Sequence, residues 1–443
     1  MTQATIPGWI DWGSPVEVTL EFKTDVFTLH TGEETRRAER EFPRLTVSFG
    51  VIGARGNSGS ASIMALARRG QSQIPVPVPS QQRSFVVGSG GILIGESDEA
   101  WLSAGRTVFV LARTPDSGAE ERTISDNSGG SVTLAPAAGW PAGTPVLLIR
   151  AETATTPESE SIRFLSSSVS QRTVSGVVDK DLLPVYGAVS SPPERTFRGR
   201  PVLAWRPNWS RGVDVEVLRR RLVRDLGHGK TRLEAVEMSA RFAASHVHLL
   251  RTEAEAQEAL SFFAWCRGRQ ASFYAPTWAE DLALATPLVS GSNAVRVRGR
   301  EVQEFLAHSE FVDSVCLWQG DTLIPAGVLS WENYGAEDTQ LLLDRNIPAA
   351  VSNAEGIGWL LRARFASDSM TIAYLTPRVA EVKVGVLSVL SKFEELRIEQ
   401  SRIMFGGDYV TLAGPAADHL STPEFLPITI GGQELLLDED YTL

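Results

Sequence analysis

The sequence predicts a mainly β chain with a few helices, of the α+β class, laid out as two tandem repeats. Three observations carry this expectation. Residues recur at a steady spacing: Trp12, Val16, Val18 and Gly32 return 197 residues later as Trp209, Val213, Val215 and Gly229. The spacing then grows, to 198 for Arg69-Gly70 and Arg267-Gly268, to 212 for Arg150-Ala151 and Arg362-Ala363, and to 209 for Gly176 and Gly385. Tandem duplication followed by loop insertion leaves such a record. Short alternating apolar runs between Gly, Asn and Asp fill most of both halves, and helical periodicity is confined to one short stretch in each.

Each repeat is expected to open on an alternating strand. Val16, Val18, Leu20 and Phe22 share one face, as do Val213, Val215 and Val217. A glycine turn follows at Gly32 or Gly229, then a second strand over 45–49 or 240–250. The helix comes next. In the second repeat Thr252 and Glu255 form a capping box. Ala256, Ala259, Leu260 and Phe263 fall on one helical face, and Gly268 supplies the stop. The matching helix of the first repeat, 61–69, is shorter. Extended segments rich in proline follow at 74–78 and 272–276, as edge strands or arms.

Both repeats then enter a long β region without helical period, which predicts a small inserted barrel. It includes 107–111, 131–134 and 146–149 in the first repeat, and 295–298, 314–318 and 340–343 in the second. A last alternating strand closes each, at 172–178 and 379–387. The expected organisation is therefore a first repeat over 1–189 with an insert at about 84–151, and a linker over 190–204 containing Ser190-Ser191-Pro192-Pro193-Glu194. The second repeat covers 205–392 with an insert at about 283–363, and 393–443 is a C-terminal arm or small β extension. Each repeat is a tube-like β-sandwich with a flanking helix.

Composition excludes several functions. With 42 basic and 53 acidic residues, the formal charge of −11 opposes general nucleic-acid binding, which depends on neutralising phosphates. An acidic surface suits a wall that DNA passes without sticking. Two cysteines, Cys266 and Cys316, make no disulfide framework and have no metal spacing. No run of about 18 apolar residues predicts a membrane span, and the segment Met1 to Trp12 has no signal-peptide pattern.

Candidate sites are few. His246 and His248 lie two apart on a strand, a metal-pair spacing, but no third ligand stands near; a polar strand face is the expectation. Gly229-Lys230-Thr231 resembles the end of a phosphate loop, but Arg224 occupies the position of its first glycine, so a hairpin turn is expected. Gly53, Gly56 and Gly59 lie between a strand and a helix without the dinucleotide spacing. Arg219, Arg220 and Arg221 must present charge to both faces of a strand, either to solvent or to an acidic neighbour such as another copy of this chain. Several of the eleven tryptophans, Trp101, Trp140, Trp318, Trp331 and Trp359, end predicted strands; they fill cores or, where exposed, interfaces and sugar sites. Arg219, Arg220, Arg221, Trp278, Trp318 and Trp331 are the candidate interface residues. No catalytic, cofactor-binding or metal-binding set is expected, and carboxylate pairs such as Glu33-Glu34, Glu394-Glu395 and Asp438-Glu439-Asp440 read as solvated.

Three segments resemble a known family. They are Gly32-Glu33-Glu34-Thr35-Arg36-Arg37 with Pro43-Arg44; Phe262-Phe263-Ala264-Trp265-Cys266-Arg267-Gly268-Arg269 with Phe273, Pro276, Trp278 and Asp281; and Trp140-Pro141-Ala142-Gly143-Thr144 with Ile149-Arg150-Ala151. Together they resemble distal tail and minor tail proteins, the tail-tip or baseplate components of long-tailed bacteriophages. The resemblance implies a non-enzymatic structural protein of the virion tail, assembled in the host cytoplasm. It implies a homo-oligomeric ring joining the tail tube protein to hub, tip or fibre proteins, with DNA passing through unbound. Three copies of a doubled chain would supply six similar layers; a hexamer using one repeat in the ring is the other stoichiometry. A receptor- or carbohydrate-binding tail protein acting through Trp-rich inserts is the competing function, and a cell-wall glycan hydrolase the third.

Overall fold

A computed structural model describes residues 9–54, 73–178 and 193–389, with interruptions at 30–32, 41, 96–101, 113–118, 129, 138, 156–161, 167–168, 194, 220, 226, 228, 230, 236–239, 309–311, 321, 336, 352–353 and 355, and four short strands beyond 403. The chain is mainly β, with helices Glu253–Cys266 (α1) and Glu301–His308 (α2) among the described residues. It divides into a large unit, 1–392, and a small one, 393–443. The small unit contains the antiparallel strand pairs Ile428–Ile430 with Gln433–Leu435 and Met404–Phe405 with Asp408–Tyr409. The predicted helix 61–69 lies outside the described residues.

Eight strands make the layer on which the rest is built. In chain order they are β1 (Val16–Glu21), β2 (Arg44–Ala54), β3 (Ile162–Ser166), β4 (Val169–Val178), β5 (Val213–Leu218), β6 (Arg241–Leu250), β7 (Ser369–Tyr374) and β8 (Ala380–Ser388). Neighbours pair antiparallel throughout, in the spatial order β3-β4-β2-β1-β7-β8-β6-β5. The first four come from the first half of the chain and the last four from the second.

The registers of the two sets agree residue by residue. Glu17 pairs with Ser48, and Asp214 with Ser245; Val47 pairs with Gly176, and Ala244 with Val386. Ile162 pairs with Arg172, and Ile372 with Val382. Alternation buries one face: Val16, Val18 and Leu20 of β1, Val47, Phe49 and Val51 of β2, and Met370 and Ile372 of β7 are all within 3% of full burial. α1 covers this face, because Ala256, Ala259, Leu260, Phe262 and Phe263 join the same core. Thr252 Oγ1 accepts from Glu255 N–H at 3.2 Å at its start, and Arg267 and Gly268, both left-handed, end it.

Two of the sequence matches fall out of register. Gly176 is buried opposite Val47, whereas Gly385 is half-buried opposite Ser245, so they occupy opposite faces. Ala154 pairs with Val178 and Ala363 with Ser388, which makes Ala154, not Ala151, the counterpart of Ala363. Identity at a drifting offset does not fix pleat parity. The structure also places a full hairpin where the sequence suggested one turn: Thr24–Thr28 with Glu34–Ala38, and Arg221–Asp225 with Thr231–Ala235. Gly229 turns the second of these with φ of 74°, as the hairpin reading requires.

Ahead of its last strands, each half carries a separate apolar cluster. In the first, Gln73–Val87, Pro145–Thr155, Thr107–Ala112, Ala119–Ser128, Ser131–Ala135 and Leu93–Ile94 pair round a closed circuit enclosing Phe85, Leu102, Val108, Val110, Ile124 and Leu148. In the second, Ala294–Arg298, Asp338–Leu343, Thr322–Tyr334, Ser314–Gln319 and Gly356–Phe365 pair in series. The segment 282–285 hydrogen-bonds both ends of that series, from Leu282 N–H to Ile357 O and from Ala285 N–H to Arg296 O.

Candidate assembly interface

The two halves are stitched together inside one chain. β1 pairs with β7 over six residues, from Val16–Tyr374 to Glu21–Ser369. On the buried face this sets Val16 against Tyr374, Val18 against Ile372 and Leu20 against Met370; on the other, Thr19 and Thr371 hydroxyls meet at 2.8 Å. Directly opposed residues of an antiparallel pair share a face, so apolar meets apolar and polar meets polar.

The hairpin 24–28/34–38 adds a polar lock. Glu34, expected from the sequence to be solvated, is instead buried, and accepts from Arg364 Nε at 2.7 Å and Nη2 at 3.0 Å, and from Arg241 Nη1. Burial pushes the Glu34 carboxyl up, but the hydrogen bonds and charges of Arg364 and Arg241 outweigh it and hold the group below the ordinary carboxylate value. Asp368 accepts from Thr24 N–H at 2.8 Å, Arg269 N–H at 2.9 Å and Arg269 Nε at 3.0 Å. Gly268 stands so close that a Cβ there would lie 2.6 Å from Asp368 Oδ1.

The ends of the eight-strand series have no such cover. Among the described residues β3 pairs only with β4, and β5 only with β6. Val215 and Val217 are 54% and 42% exposed, where their counterparts Val18 and Leu20 are 1% exposed. Phe164 is 54% exposed, against 7% for Tyr374. The hairpin 221–225/231–235 is uncovered, with Leu222, Val223 and Leu233 in solvent, and Trp209 is exposed where Trp12 is half-buried.

The predicted interface residues separate. Arg219 and Arg221 are exposed between β5 and its hairpin, as an interface reading requires; Arg220 lies outside the described residues. Trp278 and Trp318 are buried, with rings 5.8 Å apart in a cluster with Phe197, Tyr274, Cys316 and Leu360, so they are core. The F..P.W..D stretch is a structural clamp. Asp281 Oδ2 accepts from Trp359 N–H at 2.9 Å and Thr277 N–H donates to Trp359 O at 3.0 Å, tying the chain to strand 356–365. Trp331 is half-buried against the second insert's core. Trp140 and Trp359 are half-buried too, and Trp101 lies outside the described residues. Nothing in the sequence distinguished core from surface tryptophan; of the two free edges β5 was legible, as an alternating strand, and β3 was not.

His246 and His248 do share a strand face, but it is the buried one, which corrects the polar-face expectation. Their rings are 5.1 Å apart, and His248 Nδ1 lies 2.8 Å from Arg206 O. Burial, and for His246 also its neighbour His248, lowers both to about 4, so both are neutral at pH 7. Among the described residues no cluster of three or more His, Cys, Asp or Glu could hold a metal ion, and no helix is long and apolar enough to cross a membrane. Both thiols are buried and raised by burial. Gly53 lies in β2, while Gly56 and Gly59 fall outside the described residues. No protein-family model matches the chain, and no curated protein matches it either.

Proposed function

We propose that this is a ring-forming structural protein, a chain doubled by duplication whose sheet layers pack around an axis. The particular reading is a tail-tip component of a long-tailed bacteriophage, joining tail tube to hub, tip or fibre proteins. One observation carries the first step: two four-stranded sets with the same order and register lie side by side, joined edge to edge by β1 and β7. A chain that already sets two equivalent layers in a row needs only to repeat that step to close. The inserted clusters, read as small barrels, then serve contacts to neighbouring tail proteins.

The solvent-side face of the eight strands supports the second step. On this face the acidic Glu17, Glu21, Asp214, Glu216 and Glu381 outnumber the basic Arg44, Arg163 and Lys383, with Thr19, Thr46, Ser48 and Thr371 between them, so the face carries more acid than base. As a lumen wall it would let a polyanion slide without counterion exchange. The virion tail, and three copies per ring, follow from the phage resemblance and the doubled layer. Electron microscopy of the assembled particle tests this: a ring below the tail tube with these strands facing the channel is expected. A peripheral, single-copy position would overturn it.

A further inference from the structure

We propose that β5 of one copy pairs antiparallel with β3 of the next, reproducing between chains the β1–β7 junction within the chain; this rests on the ring reading above. The register follows from the pairings alone. β5 corresponds to β1, because Asp214–Ser245 matches Glu17–Ser48. β3 corresponds to β7, because Ile162–Arg172 matches Ile372–Val382 and Phe164–Ser170 matches Tyr374–Ala380. In the chain Val16 meets Tyr374, Glu17 meets Ala373 and Val18 meets Ile372. Between copies, therefore, Val213 meets Phe164, Asp214 meets Arg163 and Val215 meets Ile162.

The residues at those positions fit each other without having been used to find the register. Val213, Val215, Ile162 and Phe164 fall together on the face that continues the buried side of the sheet, while Asp214 and Arg163, opposite in charge and both exposed, fall together on the polar side. A one-residue slip would set Asp214 against Phe164 or Ile162. The partner is a second copy of this chain because the two edges are the two ends of one sheet. The joint between the chain's own halves is their template. An unpaired apolar edge is also a hazard that folded chains cover.

The hairpin 221–225/231–235 extends the same contact. Its counterpart, 24–28/34–38, leans from the first half onto the second through Thr24, Glu34, Arg241, Arg364 and Asp368. In the assembly the second hairpin leans onto the next copy, covering Leu222, Val223 and Leu233 and placing Arg219 and Arg221 at the joint. The contact is head-to-tail, so it closes into a ring or runs on as a filament.

Cysteine pairs in the full chain test the register, since both native thiols are buried. Val213→Cys with Phe164→Cys is expected to cross-link copies into a ladder, directly opposed residues lying within disulfide reach. Val213→Cys with Arg163→Cys, on opposite faces, is expected to give none. Asp214→Arg should weaken self-association by about tenfold or more in sedimentation, and Asp214→Arg with Arg163→Asp should restore it. If the chain self-associates but neither the cross-link nor the charge swap responds, this pairing is wrong and the ring reading survives. Cross-linking of Val215→Cys to itself would show a two-fold edge contact and overturn the head-to-tail arrangement. A chain that stays monomeric at every concentration and in the particle overturns both.

Discussion

Glu34→Gln should destabilise the large unit by about 3–5 kcal/mol, the range for removing one partner of a buried ion pair. The side chain of Glu34 is 1% exposed and those of Arg241 and Arg364 are 6% exposed, so solvent screens this site little. Glutamine keeps the shape and one acceptor but leaves two guanidinium groups buried without a counter-charge; Arg36, 4.0 Å from Glu34, adds to that field. Guanidinium titration followed by tryptophan fluorescence measures the loss at pH 7. The cost lies in the orphaned cations, so Glu34→Leu with Arg241→Met and Arg364→Met should recover most of it. The sign with pH is fixed. Because the folded carboxyl is held below the ordinary carboxylate value of 4.5, its contribution is full above that pH and fades as pH falls through it and beyond. Wild type and Glu34→Gln should therefore converge in acid. A difference below about 1 kcal/mol at pH 7, or one that grows on acidification, would refute the lock between the halves.

Three further outcomes are expected. His246 and His248, lowered from 6.5 to about 4, make the unfolded chain the better proton binder between those values, so stability is full above pH 6.5 and falls on acidification by up to about 3 kcal/mol per group. His246→Phe with His248→Val, the residues at the matching positions Phe49 and Val51, should flatten that slope in a pH series of melting curves. Trp278→Ala should cost about 3–5 kcal/mol as a core truncation and lower the melting temperature; loss of self-association at unchanged stability would instead restore its interface role. Gly268→Ala forces a Cβ at φ of 65° against Asp368 and should destabilise by about 1–2 kcal/mol or more, visible as a lowered unfolding midpoint.

Much of the local structure was legible in order. Alternation at 16–22 and 213–217 marked the strands, the capping box at Thr252 marked α1, and Gly229 marked a turn. Each of these depends on neighbours within a few residues, where sequence spacing and spatial spacing are the same thing. The burial of Trp278 and Trp318 was not legible, because an aromatic ring reads alike in a core and at a surface until its surroundings are known. Nor was the buried setting of His246 and His248: period two gives the shared face and not which side the helix covers.

The sequence by itself settled that the chain is mostly β, and it carries matching residues 197 apart in both halves. Tertiary structure alone decided who pairs with whom. β1 finds β7 more than 340 residues away, and Glu34 finds Arg364 across 330. A strand's pattern states which side must be buried but carries no address for its neighbour. That choice is made by the competition of every edge for every other. Here the competition satisfied the β1 and β7 edges inside the chain and left β3 and β5 with one neighbour each among the described residues.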